Sequence, residues 1–162
     1  MTIQVGDTLP AADLMQMGDA GPEKTSLTDL AAGRKVVIFG LPGAYTGTCS
    51  SEHVPGFIQH AEALRAKGVD DIICVSVNDA FVMKAWAKDT GAEAAGLKLL
   101  GDPLSSFTKS VGLDFDAPDF GLVGRSLRYA MVVEDGKVTA LNVEENPGVC
   151  DVAGGAAVLA MV

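Results

Sequence analysis

The sequence predicts an α/β protein whose central mixed sheet is flanked by helices. Short β-type runs alternate with stretches whose apolar residues recur at helical spacing. An Asp-Gly pair divides two late β-type runs. Of the 162 residues, 48% are apolar, and 19 glycines with 7 prolines provide turns. That length suits one domain over residues 1–162, and no repeat, low-complexity tract or linker divides it.

The elements follow in order. Residues 34–41, RKVVIFGL, lie between the breaker AAG and Pro42, as a buried strand does. Val54, Phe57, Ile58, Ala61 and Leu64 mark one face of a helix that stops at Lys67-Gly68, a basic residue followed by glycine. Residues 71–77, DIICVSV, form a second buried strand. Asn78 or Asp79 caps the next helix, whose apolar face holds Val82, Met83 and Trp86. Lys98 to Leu100 reads as a short strand, and Asp102-Pro103 precedes a helix from Ser105 to Val111. Residues 129–133 and 138–143 flank Glu134-Asp135-Gly136-Lys137 and form a hairpin. The final AAVLAMV packs as a terminal helix. A β-α-β unit, an antiparallel hairpin and a last helix are the plan of a thioredoxin-like fold, although several α/β folds share such runs.

Charge and cysteine usage narrow the function. A net charge of −9 repels nucleic-acid phosphates and anionic membranes, so neither is an expected partner. Residues 1–10, MTIQVGDTLP, carry acid and lack the basic region of a signal peptide, and no apolar run approaches the ~20 residues of a membrane span. The expectation is a soluble cytoplasmic protein, with an organelle still open to a chain whose targeting peptide has been removed. Cys49, Cys74 and Cys150 are odd in number and far apart, unlike a secreted disulfide framework. With no C-x-x-C and only His53 and His60, no metal site is expected, since structural zinc takes about four soft ligands.

The chemistry-bearing stretch is VVIFGLPGAYTGTCSSEHVPGF, residues 36–57. A strand ends at Leu41, Pro42 forces a turn, and Thr46 and Cys49 follow just before a helix. Unpaired N–H groups and the positive end of a helix dipole favour a thiolate there. Thr46, three residues before Cys49, can aim its hydroxyl at the sulfur across one turn. Spacing alone is equally satisfied by Cys49 as a small buried hydrophobe. His53, four residues on, shares a helix face with Cys49; a hydrogen-bonded structural role suits it better than that of a general base. Trp86 and Met83 read as core or interface, and Asp79 as a helix cap.

Pro42, Thr46 and Cys49 fit P-x-x-x-T-x-x-C, the active-site signature of peroxiredoxins. The segments LPGAYTGTCSSEHVPGF and CVSVNDAFVMKAWA resemble the subfamily called type five in animals and type II in plants. The similarity runs from near residue 3 to about residue 145 and is dense over residues 35–89. It implies a thioredoxin-like fold, thiol-dependent reduction of hydrogen peroxide and organic hydroperoxides, no cofactor, and a homodimer formed near Tyr45, Asp79, Phe81 and Arg125. Arg128, in RSLRYAMVVEDGKV, matches the arginine that the family places beside the cysteine. A guanidinium there favours the thiolate and donates to the peroxide oxygens as the O–O bond breaks. Arg125 lies outside that strand, as a surface charge or as part of the site's periphery. Gly47 departs from the subfamily, which usually has proline there, and loosens the loop.

The implied cycle starts with Cys49 attacking the terminal peroxide oxygen and becoming a sulfenic acid. Pro42 shields the sulfur, Thr46 orients the peroxide, and N–H groups around Thr48 and Cys49 add donors. A second thiol condenses with the sulfenic acid, and thioredoxin, or glutathione with glutaredoxin, restores the enzyme. Cys74 reads as an inert strand residue, although some plant-type relatives resolve at that place. Cys150, in the loop sequence NPGVCDVAGG, matches the region of the resolving cysteine in animal-type relatives and is the favoured partner. The rival readings are a disulfide oxidoreductase on the same fold, which normally has C-x-x-C, and a non-enzymatic chaperone or binding module, which has no use for an activated thiol.

Overall fold

Three central strands are apolar on both sides, and the architecture follows from covering both faces of the sheet they form. In the computed structural model, which describes residues 1–162, β1 (Asp13–Gly18) and β2 (Gly21–Ser26) form an N-terminal hairpin. After α1 (Leu27–Ala31), β3 (Lys35–Gly40) enters the middle of the sheet. A π-helical turn at Cys49–His53 runs into α2 (Val54–Ala66), followed by β4 (Asp71–Ser76), α3 (Ala80–Thr90) and β5 (Lys98–Gly101). Next come α4 (Ser106–Ser110), β6 (Asp114–Ala117), a 3-10 turn (Pro118–Phe120) and β7 (Leu122–Ser126). The hairpin β8 (Tyr129–Glu134) and β9 (Lys137–Val143) precedes the last helix, α5 (Gly155–Leu159).

The main sheet has the order β2-β1-β5-β4-β3-β8-β9, while β6 and β7 form a separate ribbon. β3, β4 and β5 are parallel, and β8 runs antiparallel to β3, which makes the sheet mixed. Val37, Phe39, Ile72, Cys74, Ala130 and Val132 face the core layer that holds α2 and α3 residues such as Phe57, Leu64 and Trp86. Val36, Ile38, Ile73, Val75, Met131 and Val133 face the opposite layer with Leu27 and Phe107. Burial on both faces is why these strands read as unbroken apolar runs. Cys74 therefore shares a layer with Cys49.

Local chemistry sets the ends of the elements. The Asp79 carboxylate accepts from Val82 N at 2.9 Å and caps α3, which closes on Gly91 at φ 80°. Asp135 and Gly136 both take left-handed φ, 49° and 77°, as a tight β8–β9 turn demands. Gly56 and Gly155 let α2 and α5 touch: a Cβ on Gly155 would lie 2.5 Å from the Gly56 carbonyl oxygen.

Two expectations need correction. Cys49 does not sit just before the helix but inside its first turn. The chain is already α-helical at Gly47 and Thr48, with Ser50 N donating to the Thr46 carbonyl at 3.1 Å, and then widens into a π-helical turn over Cys49–His53, closed from Val54 N to the Cys49 carbonyl. The helix expected from Ser105 to Val111 is shorter, Ser106–Ser110, with Ser105 in the left-handed region at φ 58°. Arg125 does lie outside β8, in a strand of its own, β7. The N-terminal hairpin and the β6–β7 ribbon were not foreseen. Their residues are mostly exposed or half-buried, so no apolar alternation marks them.

Candidate active site

The loop after β3 carries the signature residues, and its polar groups tie it to three neighbouring elements. Pro42 is buried, and its carbonyl accepts from Arg125 Nη1 at 3.0 Å. Gly43 makes room for that contact, since a Cβ there would lie 2.3 Å from Arg125 Nη1. Ala44 N donates to Asn78 Oδ1 at 3.0 Å, an oxygen that also accepts from Ser76 Oγ at 2.6 Å. Tyr45 adopts φ 62° and its phenol donates to Asp89 at 2.6 Å, a bond that raises the phenol's pKa. Trp86, fully buried, donates its indole N–H to Ser50 Oγ at 3.0 Å, one residue past Cys49. Arg125 is thus a half-buried loop support, not a solvated charge.

Cys49 is fully buried and opens the π-helical turn. Arg128, 1% exposed, enters from the residue before β8 and divides its donors three ways. Nη2 reaches Cys49 Sγ at 3.2 Å, Nη1 reaches His53 Nδ1 at 2.8 Å, and Nε donates to the Pro147 carbonyl at 3.0 Å. His53 Nε2 lies 2.9 Å from the Ala153 carbonyl. These partners assign the proton to Nε2 and make Nδ1 the acceptor. Burial, aided by the Arg128 charge, pushes the His53 pKa down to about 3. Neutral and engaged at both nitrogens, His53 orients Arg128 and is not a general base at physiological pH.

Thr46 differs from its sequence reading: its hydroxyl donates to the Gly43 carbonyl at 2.7 Å instead of to the sulfur. The turn from Gly43 to Thr46 brings that carbonyl within reach, leaving the hydroxyl's lone pairs as acceptors. Thr48 Oγ1 donates to the Gly148 carbonyl at 2.8 Å. Gly47 is exposed, with no atom within 4 Å of where a Cβ would stand. A cleft of about 390 Å³ opens over these residues, with Pro42, Thr46, Gly47, Thr48 and Arg128 along one side. Phe115, Ala117, Phe120 and Leu122 wall the other side, supplied by the β6–β7 ribbon that patterning missed.

All three thiols are free. Cys74 pairs in register with Phe39, and burial raises its thiol pKa well above the ordinary value, with proximity to Cys49 adding to the rise. Cys150 is half-buried in the segment between β9 and α5. Burial pushes its pKa up to about 11; Arg128 opposes, while Glu144, Glu52 and Cys49 add to the rise. Sequence reasoning missed this segment's contacts with the site, through Pro147, Gly148 and Ala153. All are made by backbone carbonyls, whose partners no side-chain pattern encodes.

Residues 4–159 match the Redoxin family model. The chain is 53% identical over 144 residues to peroxiredoxin-2C of Oryza sativa subsp. japonica, an alignment covering 88% of each chain. The chain belongs to the peroxiredoxins. Peroxiredoxin-2B of Arabidopsis thaliana is 50% identical over 143 residues, again with 88% of each chain covered. The crystal structure of reduced Prx3 in complex with H2O2 from Vibrio vulnificus superposes with a TM-score of 0.92 at 48% identity, covering 99% of each chain. The peroxiredoxin is accordingly a thiol-dependent peroxidase with a thioredoxin-like fold, which takes a hydroperoxide as substrate and a thiol as reductant. Relatives of this peroxiredoxin include proteins named chloroplastic and mitochondrial, so membership of the family fixes no compartment. None of its helices is long and apolar enough to cross a membrane.

Proposed function

We propose that Cys49 is the peroxidatic nucleophile and that Arg128, Thr46 and Pro42 form the machinery around it. The observation that carries this reading is the Arg128 Nη2 to Cys49 Sγ contact at 3.2 Å, a buried cation directed at the one thiol of the signature loop. The thiolate attacks the terminal oxygen of ROOH; the S–O bond forms as the O–O bond breaks, and RO⁻ leaves and becomes ROH by taking from solvent the proton that Cys49 released on ionising. Sulfur is oxidised to the sulfenic acid and the peroxide is reduced by two electrons. Arg128 stabilises the charge that develops on the peroxide oxygens. Thr46, its proton committed to Gly43, accepts from the hydroperoxide O–H and orients it. Pro42 covers the sulfur, while Thr48 and Gly47 shape the mouth of the cleft.

Cys150 is the proposed resolving thiol. It lies in a segment bonded to Arg128, Thr48 and His53, all of them neighbours of Cys49, whereas Cys74 is locked within β4. A Cys49–Cys150 disulfide suits a dithiol reductant of the thioredoxin type; recycling by glutathione or a glutaredoxin is the alternative where no such disulfide forms. A homodimer belongs to the same reading, supported by the exposed Tyr45 and Phe81 beside the site, 53% and 63% exposed. So does the single domain over residues 1–162, whose main sheet draws strands from Asp13 through Val143. Single-turnover peroxide reduction tests the central assignment. Cys49→Ser is expected to abolish it and Cys74→Ser to preserve it; fast turnover in Cys49→Ser overturns the assignment.

A further inference from the structure

The segment after β9 is held by more than its contacts with the active site. Glu144, at its start, is 7% exposed, and its Oε1 accepts from Asp151 N at 2.5 Å and from Ala153 N at 2.9 Å. Those two N–H groups lie one and three residues after Cys150 in the chain. Asn142 Nδ2 adds a bond to the Val152 carbonyl at 2.8 Å, and Glu144 N donates to the Arg128 carbonyl at 2.9 Å. One buried carboxylate therefore clamps the resolving segment from within, beside the arginine that contacts Cys49.

Resting on the reading of Cys150 as the resolving thiol, we propose that Glu144 is a positioning residue for resolution: its clamp holds the Cys150 segment closed, and release of the clamp sets the rate of Cys49–Cys150 disulfide formation. In that step the Cys150 sulfur attacks the sulfenic sulfur of Cys49. The S–S bond forms, the S–O bond breaks, and hydroxide leaves with the Cys150 proton as water, so no further oxidant is needed. Cys49 is buried beneath Arg128, and the segment is bonded to Arg128, Thr48 and His53, so the two sulfurs meet only after the segment lets go. Hydrogen bonds to a charged partner are the strong ones; the Glu144 carboxylate makes two of them to this segment, beside the one that the Arg128 guanidinium gives to Pro147. Removing the carboxylate leaves two N–H groups unpaired when the segment is closed and solvated when it opens, which favours opening. Opening also reverses the burial that pushes the Cys150 pKa up to about 11, returning more of it to the nucleophilic thiolate.

The experiment follows pre-reduced protein after one equivalent of hydrogen peroxide, with disulfide formation read by rapid quench and peptide mapping. Glu144→Ala is expected to form the Cys49–Cys150 disulfide about tenfold faster than wild type, and Glu144→Gln, which keeps an acceptor oxygen without the charge, to lie between them. At high peroxide, Glu144→Ala is expected to divert less Cys49 to sulfinic acid, because resolution outruns the second oxidation. An unchanged or slower disulfide step in Glu144→Ala overturns the clamp. Hydrogen exchange on the reduced wild type needs no variant: protected Asp151 and Ala153 amides that lose protection on oxidation support the clamp, and amides that exchange freely from the start overturn it. No Cys49–Cys150 peptide in oxidised wild type removes the resolving role of Cys150 and the proposal with it, an outcome distinct from a disulfide whose rate ignores Glu144.

Discussion

Arg128→Ala isolates the contribution of the buried guanidinium. At the 3.2 Å of the Nη2–Sγ contact and an effective dielectric of about 20, a full charge pair is worth about 5 kcal/mol, an upper limit on what is lost. Removing one directed donor from a preorganised charge-stabilising site costs about 10²–10³-fold in rate. The expected loss in the second-order rate of peroxide reduction is therefore two to three orders of magnitude. Arg128→Lys is expected to recover only part of it, because an ammonium cannot bond Cys49, His53 and Pro147 together in the planar arrangement seen here. Stopped-flow fluorescence suits the assay: the single tryptophan, Trp86, bonds Ser50 next to Cys49 and reports the turn's state. Circular dichroism checks folding, since the alanine variant leaves the Pro147 carbonyl and His53 Nδ1 without a donor, a loss of about 1–3 kcal/mol for each. A folded Arg128→Ala protein that reduces peroxide within about threefold of wild type refutes the reasoning, because a charge contact of this kind is worth far more than that.

His53 predicts a stability that falls in acid. Its folded pKa, about 3, lies below its ordinary 6.5, so the folded state binds fewer protons than the unfolded chain between those values. Stability from this group is complete above about pH 6.5 and declines by about 1 kcal/mol per pH unit below it. Urea denaturation from pH 7 to pH 5 checks this, and a His53→Gln variant with the same pH slope as wild type counts against it. In a Cys49→Ser background, alkylation of Cys150 is expected to rise about tenfold per pH unit toward its value of about 11, and a plateau below pH 9 contradicts the buried setting. Gly155→Ala drives a methyl toward the Gly56 carbonyl and is expected to cost about 1–3 kcal/mol, read as a lower denaturation midpoint. An unchanged midpoint there means that α2 and α5 do not touch as described.

Much of the site was legible before the fold was known, and the reason is local. The spacing of Pro42, Thr46 and Cys49 places all three in one short stretch from loop into helix after a strand, whose unbroken apolar run announces a doubly covered sheet. The Asp135-Gly136 turn and the Asp79 cap are likewise decided by residues adjacent in the chain. Edge strands with little to bury left no such trace, which hid the ribbon that supplies Phe115, Phe120 and Leu122 to the cleft.

Residue chemistry within the chain thus determined which thiol stands in the signature, which arginine is its candidate partner, and the alternation of strand and helix. Tertiary structure decided the rest. It took the Thr46 hydroxyl away from the sulfur, widened the helix into a π-helical turn from Cys49, and engaged His53 at both nitrogens. It also carried Glu144, Pro147, Gly148 and Ala153 to the active site, about 100 residues along the chain from Thr48 and His53. These last contacts run through backbone carbonyls and amides, groups that every residue carries, so only the path of the chain selects which of them meet.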